Sequence, residues 1–256
     1  MGGLKQIKTL LDSKYEAYCN EEFIALDPIQ IPHYFSKKED IEIAGFLASS
    51  IAWGQRPTIL KNAKKLMQLM EFEPHYFIMN HSPADRIGFS DFRHRTMLPE
   101  DILFFIESLQ NIYQNHNGLE TVINNGYKTG GIKRGLSELH EVFFSIDHPL
   151  RTRKHISNPE KNSASKRLNM FLRWMVRKDQ SGIDFGIWKQ ISMADLLLPL
   201  DVHTARNARE LGLLLRKSND WKAVEEVSQN LKKLDPQDPI KYDFALFGMG
   251  VFEKDL

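Results

Sequence analysis

One cysteine, Cys19, stands in a chain of 256 residues. That scarcity excludes an intrachain disulfide framework, a multi-cysteine zinc site and a four-cysteine iron–sulfur cluster. No disulfide-linked partner is expected either. No stretch approaches about 18 uninterrupted apolar residues, the length needed to cross a bilayer, and no early apolar run resembles a secretion signal. Charge of one sign is also missing: 34 Lys and Arg oppose 33 Asp and Glu, for a formal net charge of +1. Proteins held to nucleic acid by bulk charge are far more basic, so any such surface here must be local. These absences predict a soluble, cytoplasmic protein without a membrane partner.

Period-two alternation and β-branched runs are scarce as well, and there is neither an internal repeat nor a low-complexity tail. What remains is helical. Hydrophobic residues make up 42%, with 16 Phe and 4 Trp, enough for a sizeable core. Leu4, Ile7, Leu10, Leu11 and Tyr15 form one stripe over residues 4–20. Helices are predicted over 39–52 and 57–71, around Trp53-Gly54-Gln55-Arg56, with Pro57 as a first helical residue. Residues 72–98 are turn-rich. Further helices fit 99–116, 131–147, 165–178, 202–211, 220–234 and 239–250, while 148–164 is expected as a long exposed loop. The fold class is all-α.

Two helix starts carry the chemistry. On a helix from Ala164, Leu168, Phe171, Leu172 and Met175 share an apolar face, while Arg173 and Arg177 each lie within about 20° of Lys166. Taken alone, such a stripe is the solvated cationic side of an amphipathic helix. Lys166 is oddly placed, however: it falls in the first turn, where the helix dipole disfavours a cation and so favours a neutral, nucleophilic amine. The polar stretch 157–165 leads into free amides that can hold a phosphate, although Ser163 or Ser165 as a plain N-cap explains the same residues equally well.

The second start is Leu198-Pro199-Leu200-Asp201-Val202-His203, with Gly212 as a fitting stop. Asp201 reads as an N-cap. A capping aspartate is also rigid and ionised, as a charge stabiliser or proton acceptor must be. His203 lacks a third ligand for a metal and reads as structural or phosphate-side; Arg206 and Arg209 read as surface charges.

Pro199-Leu200-Asp201-Val202-His203 before a helix resembles the aspartate segment of the helix-hairpin-helix DNA glycosylase superfamily. Ser165-Lys166-Arg167-Leu168-Asn169-Met170-Phe171-Leu172-Arg173 is similar to the lysine helix of its archaeal 8-oxoguanine glycosylase branch. There the lysine opens the second helix of the hairpin motif and another basic residue follows seven positions on; here these are Lys166 and Arg173. The 35-residue separation of Lys166 and Asp201 is close to that branch's spacing. Phe46-Leu47-Ala48-Ser49-Ser50-Ile51-Ala52 with Arg56, Phe92-Arg93-His94-Arg95, and Lys241 to Gly248 also fit, so the likeness covers roughly residues 40–250. The whole chain resembles an uncharacterised bacterial family related to these glycosylases. It departs from them in lacking the Pro-Gly-Val-Gly hairpin, replaced by 148–164, and the cysteine cluster of the endonuclease-type members.

The resemblance implies a two-lobed helical bundle, one globular unit over 1–256 with lobes at 41–128 and at 1–40 plus 129–256. It implies double-stranded DNA containing a damaged base as partner, the base being extruded into a pocket between two lobes. Lys166 would attack the sugar C1′ and form a Schiff base, with strand cleavage by β-elimination to follow; Asp201 would stabilise the sugar cation. That chemistry needs no cofactor and no metal. Gln55 is a candidate base reader, since an amide both donates and accepts. Trp53, Phe171 and Trp174 are candidate stacking residues, each also a default core residue. Ser163, Ser165, Arg173 and His203 would hold phosphates or substrate, and Lys133, Arg134, Lys154, Lys161, Arg173 and Arg177 would form the local basic face. The alternatives are a noncatalytic nucleic-acid-binding protein that keeps the scaffold, a small-molecule enzyme using Lys166 as a Schiff-base amine, and a helical scaffold for protein partners.

Overall fold

The computed structural model describes residues 2–253. Among them are eleven α-helices and no strand, only two isolated backbone bridges, so the all-α class holds. The chain divides into two compact units: Leu26–Asn158, and the residues up to Ala25 joined by those from Pro159 onward. The expected boundaries at 40/41 and 128/129 therefore move to 25/26 and 158/159.

The 26–158 unit is built on helices α3 (Lys38–Ser50), α4 (Arg56–Leu69), α5 (Pro74–Asn80), α6 (Pro99–Asn115) and α7 (Gly118–Phe143). Helix α3 buries Asp40 through Ser50 without interruption, because Ile41, Ile43, Phe46 and Leu47 leave no wholly polar side. Phe46, Phe105 and Phe143 interlock, with ring centroids 4.8 Å apart for Phe105–Phe143 and 5.6 Å for Phe46–Phe143. Each such ring contributes about 1.5–3 kcal/mol by burial. Helix α5 lies inside the stretch expected to be turn-rich.

Helix α7 is two helices in one. Gly130 and Gly131 leave helical geometry, Gly131 with φ 68°, and the second half starts afresh at Ile132. The halves meet where neither residue has a side chain: a Cβ on Gly126 would sit 2.5 Å from the Arg134 carbonyl oxygen, and one on Gly135 would sit 2.8 Å from that of Ile123. Periodicity predicts only the second half, because Gly118, Gly126 and Gly130 depress the helical signal of the first. The 148–164 stretch is also more ordered than expected. It holds 3₁₀ turns at Leu150–His155 and Pro159–Lys161 and buries Thr152, His155, Ile156 and Pro159.

The other unit assembles α1 (Gly2–Tyr18), α2 (Glu22–Leu26, whose last residue crosses the boundary), α8 (Lys166–Val176), α9 (Val202–Glu210), α10 (Trp221–Leu234) and α11 (Tyr242–Phe252). Helix α11 is the apolar centre of this group. Phe244 meets Tyr15 and Phe23 edge-on, at 6.2 and 4.9 Å. Helix α9 ends as predicted, with Gly212 at φ 69° just past the C-cap Leu211.

Candidate functional site

Helix α8 is buried almost all round: Leu168, Phe171, Leu172 and Met175 are covered as the apolar stripe requires, but so are Asn169, Arg173, Trp174 and Arg177. Phe171 and Trp174 are core residues. The polar side is satisfied from the segment that follows. Phe185 and Trp188 donate backbone hydrogen bonds to Trp174 O and Met175 O (2.8 and 2.9 Å), which carries Asp184 back onto the helix. Asp184 then binds Arg173 Nε at 3.2 Å and Arg177 Nη1 at 3.0 Å. Arg173 also pairs with Asp243 of α11, and Arg177 with Asp179 (2.7 Å) and Asp238 (2.8 Å). The expected solvent-facing stripe of Lys166, Arg173 and Arg177 is thus corrected. Arg173 and Arg177 are 3% and 0% exposed and committed to carboxylates, so only Lys166 of the three reaches the surface.

Lys166 is the first helical residue, and the turn before it is pinned. Ser165 takes a left-handed conformation (φ 47°), its side chain does not cap the helix, and its hydroxyl and amide bond Ser163 O and Ser163 Oγ, both at 3.3 Å. The plain-cap reading of the two serines is therefore replaced by a knitted turn. Asn162 anchors that turn to the start of α10, donating to Asp220 (3.1 Å) and accepting from the Trp221 amide (3.2 Å). Asn169, one turn into α8, donates back to Ala164 O at 3.1 Å, while its buried Oδ1 finds no partner.

Asp201 is the N-cap of α9. Its Oδ1 accepts from the Thr204 amide at 2.9 Å, and its Oδ2 lies 3.4 Å from Lys166 Nζ. The two oxygens do different work, one fixing the carboxylate and the other meeting the amine. Their side chains are 32% (Lys166) and 21% (Asp201) exposed, a partly desolvated pair still open to a ligand. Residues 35 apart in sequence, chosen for their places at two helix starts, are side by side.

His203 lies two residues beyond, packed toward Gly250 of α11, where a Cβ would come within 2.9 Å of the histidine Cβ. Among the described residues no group of three His, Cys, Asp or Glu could hold a metal ion.

One buried carboxylate of the same unit has no role in the sequence analysis. Asp243 is the lone acid of α11, buried, and joined to Arg173. Burial pushes its carboxyl up to about 6, against the pull of Arg173; Asp201 pushes the same way as burial, and Lys166 pulls with Arg173. A single carboxylate in Tyr242-Asp243-Phe244-Ala245-Leu246-Phe247 is a legible signal: charge is not placed in so apolar a run without a partner.

Trp53 and Gln55 belong to the 26–158 unit. Trp53 stacks on His155 (5.9 Å, 27°) and meets His94 edge-on at 4.9 Å. Its carbonyl bonds His94 Nε2 at 3.1 Å. The ring is half-buried and braced by both histidines. Gln55 occupies the N-cap position of α4 with an extended backbone and an exposed side chain that makes no capping bond. Pro57 is the second residue of that helix, not the first.

Residues 27–252 match a family model described as protein of unknown function (DUF2400). The chain belongs to that family. No curated protein and no solved structure matches it. The match takes in nearly all of the 26–158 unit and the 159–252 part of the other, and Lys166, Asp201, Arg173, Asp243, Trp53 and Gln55 all fall inside it.

Proposed function

We propose that this family member is a base-excision DNA glycosylase with abasic-site lyase activity, acting on a damaged purine such as 8-oxoguanine in double-stranded DNA. The reading extends to a fold of the helix-hairpin-helix glycosylase type. One observation carries it: Lys166 Nζ stands 3.4 Å from Asp201 Oδ2, at the starts of two helices, with Asp201 immobilised by its own cap bond. A primary amine beside a fixed carboxylate is the equipment for covalent attack on a sugar carbon.

In the resting site the amine and the carboxylate oxygen stand within ion-pair distance. A flipped nucleotide that displaces water from it raises the cost of both charges and favours the neutral forms, so the proton can pass from Nζ to Oδ2. The freed lone pair bonds to C1′ as the C1′–N9 bond breaks, its electrons leaving with the base, which takes up a proton. Loss of a second proton from nitrogen opens the sugar ring to a Schiff base, with O4′ protonated, and β-elimination then expels the 3′ phosphate. Asp201, ionised again, lies where positive charge builds on the sugar.

A second reading rests on the same geometry: Asp201 is a working N-cap and Lys166 its ion-pair partner, which a noncatalytic nucleic-acid-binding protein would need no less. Borohydride trapping on duplexes with an abasic site or 8-oxoguanine separates the two. The glycosylase reading predicts a covalent adduct with the wild type, none with Lys166→Ala, and DNA affinity retained in both. Binding without any adduct leaves the noncatalytic reading.

A further inference from the structure

We infer that the 26–158 unit carries a docking site for a partner protein: an acidic cavity that takes the guanidinium of an arginine, beside an exposed aromatic patch that covers the arginine's apolar neighbours. The site shares no residue with the Lys166–Asp201 pair.

The cavity, about 300 Å³, is lined from the end of α4, from α5 and from the start of the 3₁₀ turn Asp85–Phe89. That is the small end of ligand sites and suits one long side chain. Its charge is of one sign. Glu71, Glu73 and Asp85 line it, and among the described residues no lysine or arginine does, although the whole chain is balanced to +1. Arg86, next to Asp85, is committed to Glu107. Asp85 is fixed in place: the Ser82 amide and hydroxyl donate to its Oδ2 at 2.8 and 2.7 Å and hold its carboxyl below the usual range.

A second observation is independent of the acids. His81 lines the same cavity, and both its ring nitrogens are shut off from water and have no hydrogen-bond partner. Such groups are rare in folded proteins, because each forfeits a hydrogen bond. Burial and the nearby Arg86 lower its pKa, so the imidazole is neutral at pH 7 and offers one acceptor. An edge contact with Phe77 (5.4 Å, 79°) holds the ring, and no hydrogen bond resists its turning toward a donor. Carboxylates, a neutral imidazole and the rings of Tyr76 and Phe77 together suit a flat, donor-rich cation. A guanidinium is that group, with five donors in one plane and a face that stacks on aromatic rings. Three carboxylates repel phosphate, which sets this partner apart from nucleic acid.

The surface alongside makes the occupant a protein segment and not a free guanidine compound. Glu71 and Phe72 both have a left-handed φ of 54°. The first is an ordinary helix end, with the Phe72 amide bonding Met67 O at 2.8 Å. The second is strain at a bulky side chain, which folded proteins keep where function needs it. It leaves Phe72, between the two glutamates, 41% exposed against Tyr34 (6.1 Å) and Phe35 (6.4 Å). Tyr34 is itself 43% exposed, and Tyr76, on the cavity wall, 64%. Exposed rings beside a pocket for arginine match the residue types that dominate binding energy at protein interfaces.

The test uses the full chain, labelled at methionine 13Cε and histidine 13Cε1, and three probes at low salt: acetyl-Leu-Arg-Leu-amide, the same peptide with citrulline for arginine, and acetyl-arginine-amide alone. The arginine peptide should shift the Met70 and His81 resonances saturably, with a Kd of about 1 mM or below, and the neutral citrulline peptide should bind about 10-fold more weakly or worse. Glu71→Gln combined with Glu73→Gln, both exposed, should weaken the arginine peptide by about 10-fold, whereas Glu210→Gln on α9 should not. No saturable shift at Met70 and His81 overturns the inference, as does citrulline binding as well as arginine or a double variant that binds unchanged. The citrulline comparison needs no variant and stands even if the double variant fails to fold. Acetyl-arginine-amide binding as tightly as the peptide would mean that the aromatic patch contributes nothing, and would contradict a protein partner. None of these measurements involves DNA, so their outcome is separate from that of borohydride trapping.

Discussion

At the residue scale, capping and chemistry can be pulled apart at Asp201. Asparagine caps a helix about as well as aspartate, so Asp201→Asn keeps the bond to the Thr204 amide and changes stability by less than about 1 kcal/mol, mostly through the lost ion pair. The same change removes the charge beside Lys166. Adduct formation should therefore fall by orders of magnitude while the thermal midpoint hardly moves; a variant with unchanged turnover reduces Asp201 to a cap. Lys166→Ala likewise removes only a partly exposed pair and should unfold within about 1 kcal/mol of the wild type in a guanidinium titration. Both residues were legible in the sequence, because helix starts announce themselves through caps and prolines. Arg173 was not. Spacing placed it on a polar stripe, but whether a polar stripe meets water or carboxylates depends on Asp184 and Asp243, which the chain brings in from 11 and 70 residues away.

At the element scale, α8 is held by ions as well as by its apolar face. Arg177 faces Asp179, Asp184 and Asp238, and its guanidinium is held charged well beyond the ordinary arginine range, burial being outweighed by those carboxylates. Arg177→Met leaves three carboxylates without their shared cation and should cost about 3–5 kcal/mol, measured as a lowered guanidinium midpoint. A loss under about 1 kcal/mol would mean that the network is not integral to the unit. Helix α7 makes a second prediction. Gly126→Ala drives a Cβ toward the Arg134 carbonyl, which belongs to backbone and cannot rotate away, so it should cost about 1–3 kcal/mol, whereas alanine usually stabilises a helix over glycine. A stabilised variant would contradict the close crossing. Helix existence followed from periodicity wherever apolar residues recur, as in α6 and α10. It failed for the first half of α7, where glycines serve the crossing at the expense of propensity.

For the whole molecule, near-neutral charge and one cysteine leave stability to packing and to buried ion pairs, and these respond to pH in opposite senses. Asp243 has a folded-state value near 6, above that of an ordinary carboxyl, so its penalty is fully present above pH 6 and is relieved as pH falls toward 4. Asp179, lowered by Ser181, Tyr15 and Arg177 against burial, acts the other way and loses its contribution below about pH 4. His81, lowered by burial and by Arg86, is destabilising below its unfolded value and partly masks the Asp243 effect. The difference between wild type and Asp243→Asn isolates the aspartate. On lowering the pH from 7 to 5, the wild type should gain stability relative to the variant, as read from guanidinium midpoints at each pH. A flat difference would mean that Asp243 does not titrate there. The all-α class was readable from composition and periodicity. The division at 25/26 and 158/159 was not, because no run of flexible residues marks it and the 148–164 stretch between helices is folded into 3₁₀ turns.

The most direct measurement is the identity of the residue bonded to DNA. Wild-type protein, incubated with an abasic-site duplex and borohydride and then digested, should yield a single deoxyribose-modified peptide with the added mass on Lys166. Mass on any other amine, or no modified peptide at all, would contradict the assignment of this lysine as the nucleophile.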